Sequence, residues 1–291
     1  MHKPDTVYKI LLVVKPQLSV VVAHVFDAAK QICASAPSYM KMMRVGKPLV
    51  VLLLVMFVAG CKQPSGSVSV EEIIERNSDA MGGRKAIEAV QSIRIDLHIK
   101  DPSFEVDGTY YAARPGKMRI DVSAEGKHVF TEAFDGQNGW QWDGKGEQKP
   151  ATEKAAAALR HGIELPGKLF GLHELKARGH SIKSSGREKI DGINYHVLQL
   201  VLSDGYTVSL YVDPTSWLVT RRRDVRPLHV DVDPTPTTIE QISSDFRDIN
   251  GVKFPFATSE TDLTSGKLLE TTVIKSVTIN PTLVPTFFDK L

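Results

Sequence analysis

From about residue 92 the chain abandons a helical period and begins to alternate. Ile93, Ile95, Leu97 and Ile99 are separated by Arg94, Asp96 and His98, and Met118, Ile120 and Val122 by Arg119 and Asp121. Successive strand side chains point to opposite faces, so this period of two means strands with one dry face and one wet face. Between such runs stand short turn signals: Arg114-Pro115-Gly116, Asp135-Gly136, Asp143-Gly144, Asp191-Gly192, Asp204-Gly205 and Asn250-Gly251. Dipeptides of this kind supply the positive φ that tight hairpins need. The spacing predicts a long antiparallel meander. No repeated strand–helix alternation supports a parallel nucleotide-binding sheet.

Two regions follow the helical period instead. Ser69 and Glu72 make a capping box for a helix starting near Ser69, with Val68 and Ile73 as a hydrophobic staple outside it. Ile73, Ile74, Asn77 and Met81 share one face, Gly82-Gly83 ends the helix, and a second helical turn runs over 86–90. Between 152 and 173 the alternation vanishes again. Ala155-Ala156-Ala157-Ala158-Leu159 reads as an alanine-rich helix, and 165–172 as a mobile, glycine-punctuated apolar segment. Strands resume near Ser181 and continue to about Ile279. Several, such as 195–202, are apolar on both faces, as in a sheet covered on one side and partly on the other. The expected fold class is α+β, a single large antiparallel sheet wrapped around a helical insertion and able to enclose an apolar cavity. An ordinary sandwich with a filled core satisfies the same pattern.

The N-terminal part carries a different signal. Lys41, Arg44 and Lys47 precede an apolar run at 48–59, which ends in Val58-Ala59-Gly60-Cys61. The run is too short for a spanning helix of about 20 residues. Basic flank, apolar run and terminal motif resemble the signal peptide and lipobox of bacterial lipoproteins. That resemblance implies that 40–60 is removed, that Cys61 carries acyl chains, and that the protein works outside the cytoplasm. Lys62 stands where an aspartate would retain a lipoprotein in the inner membrane of enterobacteria. The resemblance therefore implies anchoring at the periplasmic face of the outer membrane, with inner-membrane anchoring as the alternative. Residues 61–68 read as a tether and 69–291 as the binding domain. Met40, Met42 and Met43 stand just before the basic flank, so 1–39 reads as an over-extended gene start. The rival is a second targeting segment over 10–25, interrupted by Lys15 and Pro16.

Losing the leader changes what composition allows. Of 36 Lys and Arg against 34 Asp and Glu, seven basic and two acidic residues precede Cys61, so the remainder is slightly acidic. A mixed, nearly neutral surface gives no reason to expect nucleic acid as a partner. With Cys33 lost and Cys61 acylated, disulfides, thiolate metal sites and thiol catalysis are excluded.

Catalytic patterns are missing too: there is no Gly-x-Ser-x-Gly elbow, P-loop or Rossmann glycine pattern. His173-Glu174 begins like a zinc-protease helix, but Ala177 stands where the second histidine belongs. His128 and Glu132 read as sharing one strand face, roughly 13 Å apart at about 3.3 Å per residue, too far for a base and its orienting group. His229, Asp231 and Asp233 alternate about 7 Å apart, which is loose for one ion; a solvated edge strand ending at Pro234 is the plainer account. Adjacent Arg221, Arg222 and Arg223 point to opposite faces and cannot form one patch. One or two meeting anionic head groups at a membrane surface is the functional reading, ordinary surface charge the plain one. No cofactor and no metal is expected.

Residues 108–121 read GTYYAARPGKMRID, and 134–145 read FDGQNGWQWDGK. Together they resemble the front half of the LolA/LolB-like lipoprotein-carrier family. Tyr211-Val212-Asp213-Pro214-Thr215-Ser216-Trp217-Leu218 looks like the hairpin of that family's second half. The stretch 245–255, DFRDINGVKFP, resembles a hairpin of the broader outer-membrane lipoprotein-sorting group. The resemblance spans most of 70–279. It implies a half-open antiparallel barrel with helices as a lid over an apolar cavity for acyl chains. It also implies that an arginine just before a proline, here Arg114, holds the lid through hydrogen bonds to its backbone. A guanidinium fork suits that task, although a turn before Pro-Gly needs no particular residue.

The candidate cavity walls are Met118, Ile120, Val122, Phe130 and Phe134, with Leu169, Phe170 and Leu172 on the lid. An empty cavity is expected to collapse. Soluble carriers of the family are not lipoproteins whereas its receptors are, so Cys61 points to the receptor side, although the receptor's exposed leucine loop is not placed here. The function expected is that of a non-enzymatic, lipid-anchored periplasmic protein that accepts or carries lipoproteins or other acylated ligands. A lipoprotein carrier or transporter is its possible partner. An envelope sensor or scaffold module of the same fold is the alternative, and an unrecognised hydrolase a third.

Overall fold

The computed structural model describes residues 68–290 apart from His229 and Val232; the segment read as a signal peptide, Cys61 and nearly all of the segment read as a tether lie outside the described residues. Helix α1 (Val70–Ala80) begins where Ser69 Oγ accepts the Glu72 amide at 3.1 Å, satisfying one of the free N–H groups of a helix start. Ile73 and Ile74 form its buried face, with Asn77 and Ser78 beside them. A short α2 (Arg84–Glu88) follows.

The sheet then begins with β1 (Ser92–Asp101), β2 (Phe104–Ala113), β3 (Lys117–Ala124), β4 (Lys127–Phe134), β5 (Gly139–Trp142) and β6 (Lys149–Pro150). Next come α3 (Glu153–Glu164) and a 3₁₀ turn at Leu172–Glu174. The second run is β7 (Ser181–Ile190), β8 (Ile193–Val201), β9 (Thr207–Val212), β10 (Val219–Arg226), β11 (Thr237–Ile249), β12 (Val252–Asp262) and β13 (Leu268–Ile279).

Among the described residues these form one open, 13-stranded antiparallel sheet, ordered β6-β5-β4-β3-β2-β1-β13-β12-β11-β10-β9-β8-β7. Two hairpin meanders are thus joined where β1 pairs with β13, Ile93 opposite Ile279 and Ile95 opposite Val277. Asp191-Gly192 and Asn250-Gly251 make their turns with φ of 50° and 85°, and 52° and 84°, the positive pairs that two-residue hairpins require. The ends of the sheet are blunted. β6 is two residues long and contains Pro150, while β7 carries Lys183, Arg187 and Lys189 and an irregularity before Gly186.

The link from β6 to β7 cannot be a hairpin, since those strands lie at opposite ends of the sheet. It crosses the concave face, and α3 lies within it. Two cores result. Ile87, Leu159, Ile163, Leu169 and Phe170 pack on the inner residues of β1 to β4 and on Phe254. Ile73, Ile74, Leu165 and Leu172 pack on Leu198, Leu210 and neighbours from β8 and β9. The outer face is covered in part by the C-terminal segment. Trp140 Nε1 donates to the Phe288 carbonyl at 2.8 Å, and Phe287 meets Tyr111 edge-on at 4.7 Å.

The end of α1 is docked onto the β11–β12 hairpin, where the Lys253 amide donates to the Met81 carbonyl at 2.9 Å. This approach requires Gly82, whose φ is +121° and whose absent Cβ would lie 1.8 Å from the Gly251 carbonyl oxygen. Gly83 is also left-handed, but nothing lies within 4 Å of its Cβ position. Gly82→Ala is therefore expected to lower stability by about 2 kcal/mol or more. Gly83→Ala should cost only about 1–2 kcal/mol of left-handed strain. Urea unfolding of the two variants checks the difference, and equal losses would contradict the docking.

Candidate functional site: a lidded cavity

The Thr152 side chain caps α3 by accepting the Ala155 amide at 3.1 Å, so the helix starts directly after the edge strand β6. Leu159 and Ile163 turn inward. The chain then leaves the helix at Leu165 and continues as the apolar segment that ends in the 3₁₀ turn. Between this insertion and the concave face lies a cavity of about 770 Å³. That volume is within the usual range of roughly 300–1,000 Å³ for sites that take small organic molecules.

The two ends of the cavity differ in chemistry. On one side Ile95, Leu97, Ile99, Ile120 and Ile274 face Leu169 and Phe170 of the insertion. On the other, Arg222 of β10 stands opposite Gln241 of β11, Gln241 opposite Glu260 of β12, and Glu260 opposite Glu270 of β13. All four line the cavity, so the sheet register lays a polar row across its floor. Ser243, Thr258 and Thr272 form the adjoining row.

Lys168 enters this space from the insertion, its Nζ 4.5 Å from the centre of the Tyr110 ring. It is exposed, but it lines the cavity. Desolvation first, and the Arg222 charge second, pull its pKa down to about 8 against the attraction of Glu260 and Glu270. Burial, then the neighbouring Glu260, pushes the Glu270 carboxyl upward. Burial likewise pushes the Tyr206 hydroxyl up, reinforced by Asp224, whose carboxylate accepts its hydrogen bond.

Arg114, at the start of the β2–β3 turn, ties the insertion to the sheet. Its Nε donates to the Val90 carbonyl at 2.8 Å, and Nη2 to the carbonyls of Leu169 at 3.0 Å and Ile87 at 3.3 Å. Nη1 and Nη2 also reach Glu174 at 2.5 and 3.2 Å, and the guanidinium lies 4.6 Å from the centre of the Phe170 ring. Glu174 in turn accepts the Gly171 amide at 2.8 Å. Burial alone would push this carboxyl up. The hydrogen bonds from Arg114 and Gly171 outweigh it and hold the group below the usual glutamate range.

Of the wall residues read from the sequence, Ile120, Leu169, Phe170 and Leu172 line the cavity. Met118 and Phe134 are buried in the packed core beside it, paired across β3 and β4, so they do not form its wall. Val122 and Phe130 are half-buried, also paired, farther toward the β3–β4 turn and away from the lining. The cavity is not collapsed, because its polar row can hold water where an apolar floor could not.

The pairing of His128 with Glu132 on one face is corrected. Val122 pairs with Phe130 but Ser123 with His128, and this irregularity at Val129 resets the alternation. His128 Nε2 consequently lies 2.7 Å from Thr131 Oγ1 and its ring meets that of Trp142 at a tilt, 4.8 Å between centres, whereas Glu132 follows Ile120 and Phe134 to the other face. There burial, then the Asp231 charge, raises Glu132 to about 7. His229 lies outside the described residues; Asp231 accepts hydrogen bonds from Gln141 and Thr152. Among the described residues no cluster of three metal-binding side chains occurs. Arg221 and Arg223 share Glu240 on the outer face, and Arg222 points the other way, as strand geometry requires.

Neither a family model nor a curated protein sequence matches the chain. Solved structures do match. One is a LolA superfamily protein from Nitrosomonas europaea, 13% identical, with 77% of this chain and 99% of that one covered and a TM-score of 0.50. Another is a DUF1329 family protein from Desulfovibrio piger, 11% identical, with 77% and 98% covered and a TM-score of 0.52. At these identities the likeness is one of fold: the single open sheet with few helices is the LolA-like half-open barrel.

Lys168 supplies a direct check of the cavity's electrostatics. In ¹³C-methylated protein its resonance should titrate with a midpoint near pH 8, while surface lysines titrate near 10.4. Arg222→Gln removes a repelling charge and should move the midpoint upward. A midpoint with the surface lysines would place Lys168 outside the cavity.

Proposed function

We propose that this domain binds the acyl chains of a lipoprotein or another amphiphile in its cavity, and that acylated Cys61 tethers it at the periplasmic face of the outer membrane. The reading is a binding protein rather than an enzyme, with a lipoprotein carrier or transporter as its partner. The observation that carries it is the cavity of about 770 Å³ between the sheet and a crossing insertion. Each methylene moved from water into such a space contributes about 0.8 kcal/mol. Ten of them contribute about 8 kcal/mol, within the range of about 4–15 kcal/mol that association costs, so a long acyl chain is needed for a useful surplus. The LolA-like fold supports the same reading.

Arg114 acts in this proposal as the latch of the lid. Its hydrogen bonds join β2, the α2 end and the insertion, and bonds to a charged donor are worth about 1.5–3 kcal/mol each when broken. Ile120, Leu169, Phe170 and Leu172 contact the chain, while Met118 and Phe134 stiffen the floor.

The full chain carrying Cys61→Ser, which prevents acylation, should bind an environment-sensitive fatty-acyl fluorophore. Ile99→Arg and Thr258→Trp, which charge or fill the cavity, should each weaken binding at least tenfold with the unfolding midpoint of the protein little changed. Undiminished binding in both would overturn the cavity as the site. Arg114→Lys keeps the charge but loses the fork. Amide exchange over 169–172 should then quicken at least tenfold while the strand core is unaffected, and unchanged exchange would reduce Arg114 to a turn residue.

A further inference from the structure

We infer that the polar end of the cavity is a head-group subsite for an anionic amphiphile, with Lys168 and Arg222 as its anion-binding pair. This rests on the acyl-binding reading and narrows the class of ligand that the cavity takes.

The geometry begins with how the charges are partnered. Arg226 is engaged: it reaches Glu260 at 2.6 Å and Asp224 at 3.3 Å. Asp224 also accepts from Tyr206. Arg222 stands differently. Its closest carboxylate oxygens, on Glu260 and Asp224, are 3.8 and 3.9 Å away, and its Nε is buried without a hydrogen-bond partner. Lys168 makes no ion pair among the described residues; its near neighbour is the Tyr110 ring. Two cations thus line one cavity, near enough for Arg222 to lower the pKa of Lys168; Glu260 and Glu270 line it too and attract Lys168, but among the described residues no carboxylate comes within hydrogen-bond distance of either cation. Such an arrangement is costly while empty and is relieved by an anion.

The surroundings say what kind of anion fits. The subsite has one wall from the β10–β13 row and one from the insertion, and it opens into the apolar end at Leu97, Ile99 and Ile274 rather than ending in a closed polar pocket. A small free anion would satisfy only the charges. A carboxylate or phosphate carried on an alkyl chain satisfies both ends at once, the guanidinium as a planar fork and the ammonium as a point charge. Gln241 and Thr258 stand beside the pair to supply neutral hydrogen bonds to a glycerol or similar linker.

The test compares two ligands that differ only by a phosphate monoester: 1-palmitoyl lysophosphatidic acid and 1-monopalmitoylglycerol. Each is titrated below its micelle threshold against the full chain carrying Cys61→Ser, with inorganic phosphate as the free-anion arm. The phosphate lipid should bind at least tenfold more tightly than the neutral lipid. Lys168→Gln and Arg222→Gln should each remove most of that preference while leaving the neutral lipid's affinity within twofold. Equal affinity for the two lipids, or loss of both equally in the variants, would overturn the head-group subsite and leave acyl binding standing. Failure of both lipids to bind would overturn the acyl-binding reading itself. Inorganic phosphate binding as tightly as the phosphate lipid would overturn the lipid as the source of the anion.

Discussion

A sheet built almost wholly from hairpins has a concave face that no part of the sheet can cover. Thirteen antiparallel strands curl around that face, and its fate determines the rest of the molecule. Among the described residues one connection crosses it, the insertion between β6 and β7, and two other elements, α1 and α2, reach it from outside the sheet. These cover the flanks, where β1 to β4 and β7 to β10 carry large aliphatic side chains. They do not fill the middle. The insertion stays over the gap because Arg114 ties its backbone to the sheet and to the end of α2.

The floor of the gap is chemically divided because the two meanders meet at β1 and β13. Strand β1 brings Ile95, Leu97 and Ile99, whereas β10 to β13 bring a row of charged and amide side chains followed by a row of hydroxyls. Packing such rows tightly against a helix would leave polar groups unsatisfied, which explains why α3 borders the space without filling it and why the space persists. A wholly apolar gap would draw the lid inward; a wholly polar one would be ordinary surface. Apolar walls beside two poorly partnered cations favour a ligand with both characters.

Much of this was legible in the residues. The period of two from Ile93, the Asn-Gly and Asp-Gly turns, the Ser69 cap, the Gly82-Gly83 stop and the alanine run of α3 are all local signals, and each found its element. The sequence FDGQNGWQWDGK and the Arg114-Pro115 step led to the LolA-like sheet. What stayed hidden depends on register over long distances. Met118 and Phe134 alternate correctly with Ile120, yet only the depth of packing beneath α3 decides that they are core rather than wall. The irregularity at Val129 has no local signal, and it separates His128 from Glu132. The row of Arg222, Gln241, Glu260 and Glu270 comes from four strands, and in β11 both faces are polar, so period alone does not say which face turns inward. Lys168 was in view within the apolar segment of the insertion; its place over the Tyr110 ring was not.

The central claim is that an acyl chain occupies the space between β1 and the insertion. The most direct measurement is anomalous diffraction from crystals grown with a fatty acid brominated at mid-chain. The account predicts bromine density inside the cavity between Leu97 and Leu169, with the carboxylate end toward Arg222. Bromine found only on the outer face of the sheet, or a cavity closed by Leu169 and Phe170 with no bromine within it, would contradict the account.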